Sequence, residues 1–418
     1  MKKRTGIYIL ALIGLVNYTK AQNNNSPYSI VGIGDIEQSY FDRTTGMANT
    51  GLALSSNRFM FTANPAANAA LDFHYFSVET AARYKNVNYS GTPVTSISSN
   101  SSDLQMRKLV IAVKPKSFWA TSLGVLPFST INYSMYGFKP VLGSSVTIPA
   151  YYHGSGGVNN LFFTNSFQIN KHLSVGVQSS WLFGNMNEIE TVIPTSALDS
   201  TLITTKYITV SNPYFKFGAQ YKSKINKNWV GSIGATYSHN TNIQALQSIS
   251  VTDGNSVLKS DNTYKASVMT LPKMFAGGIA ATYKDKYTFV ADYSYQPWSE
   301  LNSKGINYVL VNSNRFSFGT EYSKKASFRE FTYEKYFLQA GVFVNDSYLK
   351  VNGTQIKQAG ATIGGGIQTA RGLGMQATLE FGSRGTINNS LIKENYTQLT
   401  LTLSYRDFWR SRKLVRYD

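Results

Sequence analysis

The sequence contains no cysteine, four histidines and only 15% charged residues in a chain of 418. Without a thiol there is no disulfide framework, cysteine-held zinc, iron–sulfur cluster, thiol nucleophile or lipidated N-terminal cysteine. His74, His153, His172 and His239 stand far apart and show none of the spacings that hold a metal. No Gly-x-Ser-x-Gly elbow occurs. The run Gly154-Ser155-Gly156-Gly157 lacks the spacing and is better explained by tight turns at a strand start. Gly32-Ile33-Gly34 and Gly364–Gly366 lack the strand–helix setting of a phosphate loop. The sequence therefore reads as a non-enzyme that needs no cofactor and no metal. Long apolar runs are also missing: no stretch reaches the roughly 18 residues of a membrane helix, so a membrane location requires a barrel.

What is present is aromatic and basic. The chain has 28 Tyr and 24 Phe, too many for a disordered protein, and its charged fraction falls below the roughly 25% of an ordinary soluble one. The first 21 residues form a unit of their own: Lys2, Lys3 and Arg4, an apolar run Ile7–Val16, then Thr19-Lys20-Ala21. About ten apolar residues behind a basic start read as a cleaved secretory signal peptide. Its removal takes four bases and no acid, lowering the net charge from +18 to +14. The remaining bases are scattered along the chain and the protein reads as exported, so nucleic acid is not an expected partner.

Period-two alternation decides the fold class. Tyr287, Phe289, Ala291, Tyr293 and Tyr295 alternate with Thr288, Val290, Asp292, Ser294 and Gln296. Phe215, Phe217, Ala219 and Tyr221 alternate in the same way with Lys216, Gly218, Gln220 and Lys222. A soluble β-sandwich alternates too, with shorter strands. Here the runs are long, aromatics gather toward strand ends, and the polar face carries Asp292, Glu321 and Glu380. That is the pattern of an all-β transmembrane antiparallel barrel, apolar outside and polar inside. About fourteen strands can be placed, near 71–88, 103–114, 117–128, 158–169, 172–187, 205–222, 228–240, 262–283, 286–297, 312–323, 335–350, 355–369, 373–384 and 395–409, each bound uncertain by several residues. An even number suits closure with both termini at one rim. Segments near 188–205 and 241–262 read as long polar loops. Residues 22–70 do not alternate; their glycines and Asn64-Pro65 are turn chemistry. A segment of that size ahead of a wide barrel is expected to fold back into the lumen as a plug. The expected organisation is thus 1–21 signal peptide, 22–70 hatch, 71–409 barrel and 410–418 basic tail.

Several elements taken in order resemble the outer-membrane family of FadL-type hydrophobic-compound transporters, in the branch common in Bacteroidota. They are Ser26–Asp35, Asn64-Pro65-Ala66, Gly154–Phe162, Leu271-Pro272, Asp292-Tyr293 with Trp298, Tyr348–Gly353, Phe381–Thr386 and Ile392–Asn395. The resemblance implies a fourteen-stranded outer-membrane barrel with a hatch inside the lumen. It further implies passive uptake of a hydrophobic molecule, such as a long-chain fatty acid, through a lateral opening in the wall. Asn64, Pro65 and Ala66 then belong to the hatch; a plain turn is the alternative. The family's opening lies at a kinked third strand, here Phe118–Phe128, where Gly124 packs no side chain and Pro127 gives no N–H. Pro127 marking a simple strand end is equally open. For an acidic ligand, lumen-facing Lys216, Lys222 and Arg315 are candidate partners of the carboxylate, and Phe59, Met60 and Phe61 candidate tunnel lining. The competing reading is that such charges satisfy one another.

After the last strand, Phe408-Trp409 precedes Arg410, Arg412, Lys413 and Arg416. A periplasmic tail of this kind anchors at lipid headgroups or docks a protein. Barrels that look like this family also serve as accessory, partner-binding or plug subunits of protein secretion (type IX) machinery. Outer-membrane lipid, a hydrophobic ligand and secretion proteins are thus the expected partners.

Overall fold

The computed structural model describes residues 26–94, 99–140, 143, 145–193, 200–254, 256–259, 262–305, 307–328, 331–369 and 372–408. The expected signal peptide and basic tail lie outside these residues. Within them, alternation sets side-chain direction along the wall except at bulges, as where Arg107 and Lys108 are both buried. Phe316 and Phe318 are 49% and 40% exposed on the outer surface, while Ser317, Glu321 and Ser323 are buried on the inner one.

A two-residue strand, β1 (Asp35–Ile36), lies inside the barrel. The wall begins with β2 (Tyr75–Gly91) and β3 (Asn100–Lys116). Its third position is shared by β4 (Trp119–Thr130) and β5 (Tyr133–Pro140). Three long strands follow, β6 (Thr147–Gln168), β7 (Leu173–Val192) and β8 (Leu202–Lys224). The seventh position is β9 (Trp229–Ser238) with β10 (Thr241–Asp253), and the eighth is β11 (Ser256–Lys259), β12 (Tyr264–Leu271) and β13 (Met274–Tyr283). β14 (Tyr287–Gln296) and short β15 (Tyr308–Leu310) form the ninth. The remainder are β16 (Ser313–Phe328), β17 (Phe331–Val351), β18 (Thr354–Gln368), β19 (Leu373–Arg384) and β20 (Ile392–Phe408). β20 pairs back onto β2 from Tyr75↔Phe408 to Gly91↔Ile392, closing fourteen positions into an antiparallel barrel. Closure joins the first and last wall strands, and the outward band of Phe, Tyr, Leu and Ile suits a bilayer. Both ends of the wall meet at the rim where the turns are short, opposite a rim of longer loops.

Three expectations change. The segments near 188–205 and 241–262 are largely strand, in β7, β8 and β10, so the wall rises further on that side than the polar composition suggested. β6 starts at Thr147 rather than near 158. Gly154–Gly157 consequently lie inside a strand, where Gly156 and Gly157 take positive φ against the carbonyls of Asn185 and Ser129. The third position continues past Pro127 to Pro140.

Residues 26–74 fold as short 3-10 turns and loops, and the hydrogen bonds they make reach inner faces all around the ring. Glycines make this possible. Gly176 pairs with Gly218, and Gly319 with Gly341. A Cβ at the first pair would strike Asn64 and Pro65, and at the second Met47. Backbone of the N-terminal segment thus rests directly on backbone of the wall. The largest apolar cluster sits toward the loop rim and combines Tyr28, Val31 and Ile33 with inward residues such as Leu182, Ile208, Ile243, Met269 and Leu349.

Candidate functional site

The ladder of the wall is interrupted beside the third position, and among the described residues β12 too pairs along one edge only, with β10. β3 pairs with β4 from Lys116↔Trp119 up to Leu109↔Val125, and no further rung joins them toward the loop rim. Above it β4 and β5 stay paired with β6 on their other edge, with a register shift between Pro127 and Ser129. Pro127 has no N–H to offer a ladder, and the chain bends between Thr130 and Tyr133. The vacated edge is taken by β1, with Asp35↔Thr130 and Ile36↔Ser129 in antiparallel register. Glu37 N–H extends this pairing to the Phe128 carbonyl at 2.9 Å. A piece of the N-terminal segment therefore substitutes for a wall strand.

Charges fix that piece from behind. Glu37 accepts from Arg83 at 2.8 Å and from Arg107 at 2.6 Å, and Asp35 accepts from Arg384 at 2.6 Å. Burial by itself would raise the Glu37 carboxyl, but the two guanidinium groups hold it down at about 2. Around it lies a cavity of about 100 Å³ bordered by Lys85, Arg315 and Glu380.

Toward the short-turn rim the segment is clamped more tightly. Arg43 donates to both oxygens of Glu321 and both of Glu334 at 2.6–2.8 Å. Its guanidinium also lies between the rings of Phe59 and Phe337, 3.8 and 4.1 Å from their centroids. Asp292 accepts from the N–H groups of Gly51 and Leu52 at 2.6 and 3.0 Å.

Toward the loop rim the lumen widens into a cavity of about 1020 Å³. Its walls include Ile30, Val31, Met269, Leu310, Leu349 and Leu391, with Glu188 and Lys206 among the polar ones. Gly32 lines this cavity and Asp35 closes the wall break, so cavity floor and cap are one short stretch of chain.

The expected site residues are distributed as follows. Asn64 is fully buried and donates to the carbonyls of Leu52, Ala219 and Ala235 at 2.8, 3.1 and 3.4 Å, and Ser166 donates to the Pro65 carbonyl at 2.5 Å. Ala66 N–H returns to Asn64 Oδ1 at 3.0 Å. Gly124 faces inward between Val110 and Phe162, one residue from the last rung. Pro127, Lys216 and Arg315 meet around a cavity of about 130 Å³ beside Tyr40 and Tyr214. Arg315 also donates to the Ala48 carbonyl at 3.1 Å, and Lys216 stands 5.2 Å from the Tyr40 ring centre. Lys222 lies apart, donating to the Ser55 carbonyl at 3.2 Å. Phe61 and Met60 are packed in separate buried clusters, and Phe59 is held between Arg43 and Arg406. These three aromatic and thioether side chains pack the N-terminal segment, and none of them borders the large cavity.

Sequence reading missed Glu37, Arg43, Arg83, Arg107 and the edge-capping role of Asp35-Ile36. Arg83 does sit on the inward phase of β2, which alternation exposes, but nothing local to residues 35–43 names partners up to 349 residues away.

Comparison with known proteins agrees with this architecture. A family model described as BamG matches residues 1–415. No curated sequence relative matches. Among solved structures, the CymD monoaromatic hydrocarbon channel has a TM-score of 0.58 at 13% identity, covering 92% of this chain and 99% of that one. A Pseudomonas aeruginosa FadL homologue has a TM-score of 0.61 at 13% identity, covering 91% and 100%. The P. putida toluene transporter TodX has a TM-score of 0.56 at 13% identity, covering 90% and 100%. At such identity the likeness establishes a shared barrel fold.

Proposed function

The chain belongs to the BamG family, and we propose that it is an outer-membrane barrel admitting hydrophobic small molecules passively, with residues 26–74 as its hatch. The observation that carries this reading is the ladder break above Leu109↔Val125, capped by β1, a strand that residues 31–34 join to the lining of the large cavity. A hydrophobic solute collects in the cavity, loses its water there, and leaves sideways into the bilayer when β1 withdraws from β4. Charge pairing at the short-turn rim makes a straight path through the lumen the costlier one. The similar folds of proteins described as hydrocarbon and toluene channels support the same class of solute. For a long-chain fatty acid, Lys216 and Arg315 beside Pro127 are the proposed carboxylate partners. Residues 1–21 direct export, the short turns and the basic tail face the periplasm, and the longer loops face outward.

Liposomes carrying the purified protein should take up a labelled long-chain fatty acid or toluene faster than protein-free liposomes. Equal rates for both solutes overturn the reading.

A second reading is favoured by the Arg43 clamp and the packed lower lumen: a permanently plugged barrel that docks partner proteins, such as a secretion-machinery subunit. Gentle extraction followed by mass spectrometry separates the two. A lone barrel with retained lipid-like solute supports uptake, whereas a stable stoichiometric protein complex together with absent uptake supports docking.

A further inference from the structure

We propose that the outer wall across β8, β9, β13 and β14 binds an anionic phospholipid, with one acyl chain in a groove of the wall and the phosphate at a lysine rim. This stands on the barrel and its outer surface, and is independent of what passes through the lumen.

The groove follows from cross-strand register. Ala219, Ala235 and Gly277 are successive outward partners on β8, β9 and β13. Taller rows flank them: Phe217, Tyr237, Phe275 and Tyr295 toward the loop rim, and Tyr221, Ile233 and Ile279 toward the short-turn rim. Small side chains between two rows of large ones leave an almost wholly apolar crevice of about 510 Å³ on the bilayer-facing surface. Smooth packing against many mobile chains needs no such recess, whereas a single chain held in place does.

Charge makes the occupant specific. From Ala219 to Lys224 is five residues, about 17 Å along a strand. At that level the turns of neighbouring hairpins are tied together: Lys284 N–H donates to the Asn228 carbonyl at 2.7 Å, and Ser323 N–H to the Lys286 carbonyl at 2.8 Å. These adjoining turns present Lys224, Lys227, Lys284, Lys286, Lys324 and Lys325, all exposed. Among the described residues of these turns the acid is Asp285, paired with Lys325 at 3.5 Å. Between groove and lysines lies an aromatic layer, Trp229 against Tyr283 at 4.9 Å and Tyr287 against Tyr322 at 5.2 Å between ring centres. Such rings sit at the headgroup boundary of a bilayer. Apolar crevice, interfacial rings and surplus cations thus follow one another in the order of a phospholipid's tail, glycerol and phosphate. Net positive charge at the rim selects a lipid with net negative charge over a zwitterionic one.

The test uses the full chain in detergent micelles containing equal phosphatidylglycerol and phosphatidylethanolamine, with bound lipid read by native mass spectrometry. Phosphatidylglycerol should be retained several-fold over phosphatidylethanolamine. The triple variant K284E/K286E/K324E should abolish that preference while lipid is still retained. G277L should lower retention of both lipids, because a Cβ at Gly277 meets nothing nearer than the Gly234 carbonyl at 3.9 Å and the new side chain fills the crevice without displacing the wall. A far-ultraviolet circular dichroism melt confirms that each variant is folded. Equal retention of the two lipids by the native chain, an unchanged preference in the lysine variant, or unchanged retention in G277L each overturns the proposal. So does a protein, rather than a lipid, crosslinking to a photoreactive residue at Phe275.

Discussion

Leu109 faces Val125 across the last rung between β3 and β4, and Asp35, Ile36 and Glu37 take the edge that further rungs would have covered. Ile36 pairs with Ser129 in antiparallel register, a geometry that brings Cα atoms within the 4.4–6.8 Å a disulfide accepts. The native chain has no cysteine, so I36C/S129C introduces a single, unambiguous bridge. The oxidised variant should lose solute uptake in liposomes and regain it when a reductant is added. Uptake that persists with the bridge fully formed removes the wall break from the route.

The Arg43 clamp is an energetic prediction. Its guanidinium is buried with two buried carboxylates, each satisfied by it. R43M leaves Glu321 and Glu334 facing each other without the cation that bridges them, a loss of about 3–5 kcal/mol. Thermal unfolding in detergent should fall markedly for R43M and recover in R43M/E321Q/E334Q, where the charges are gone as well. Recovery distinguishes charge compensation from the packing of Arg43 between Phe59 and Phe337. A triple variant as unstable as R43M assigns the clamp to packing.

Glu37 gives a pH dependence with a definite sign. Its carboxyl is held at about 2 in the folded chain, below its ordinary value, by Arg83 and Arg107 despite burial. A lowered pKa means the ionised form is what the fold binds, so the contribution is complete above about pH 4.5 and disappears as the pH falls toward 2. β1 should therefore loosen across that window. Limited proteolysis or hydrogen exchange of residues 33–40, measured from pH 6 to pH 2.5, should show protection falling with acid. E37Q should show low protection at every pH in the range. A wild-type protection profile flat over the window contradicts the link between this ion pair and the seating of β1.

The barrel was legible in the sequence for a simple reason. One face of each strand meets lipid and the other meets polar groups, and a period of two writes that difference into neighbouring residues such as Phe316 and Ser317. Strand ends were less legible. The runs near 188–205 and 241–262 pair as strands although polar residues such as Asn242, Gln244, Ser248 and Ser250 hold the outward phase of β10, whose apolar residues Ile243 and Ala245 turn inward instead. The third position is the instructive case: Gly124 and Pro127 signalled broken pairing, but nothing in residues 118–128 says that the chain resumes as β5 or that residues 35–36 fill the edge. The candidate cations show the same limit. Alternation gives their direction into the lumen, yet Lys222 and Arg315 meet carbonyls of Ser55 and Ala48 that are more than 150 residues away. Long-range pairing inside a lumen leaves no local period.

The seating of the N-terminal segment should depend on glycine at sites where a soluble strand would tolerate a side chain. Gly218 faces inward onto Asn64 and Pro65, and a Cβ there would enter the space of Asn64 Oδ1 and lie 2.8 Å from Pro65 Cδ. G218V must push residues 64–65 off the wall. That breaks the contacts of Asn64 with Ala219 and Ala235 and strains the hydrogen bond from Ser166. The wall itself gains a β-branched residue in a strand, which it accepts readily. The expected phenotype is therefore a folded, heat-modifiable barrel whose residues 55–70 become susceptible to protease and whose liposomes leak small polar solutes. G277A serves as the matched control, since its new methyl points to the outer surface with nothing closer than 3.9 Å, and it should behave as the native chain. If G218V were as tight and as protease-resistant as G277A, direct backbone contact at Gly218 would not be what holds the segment in place.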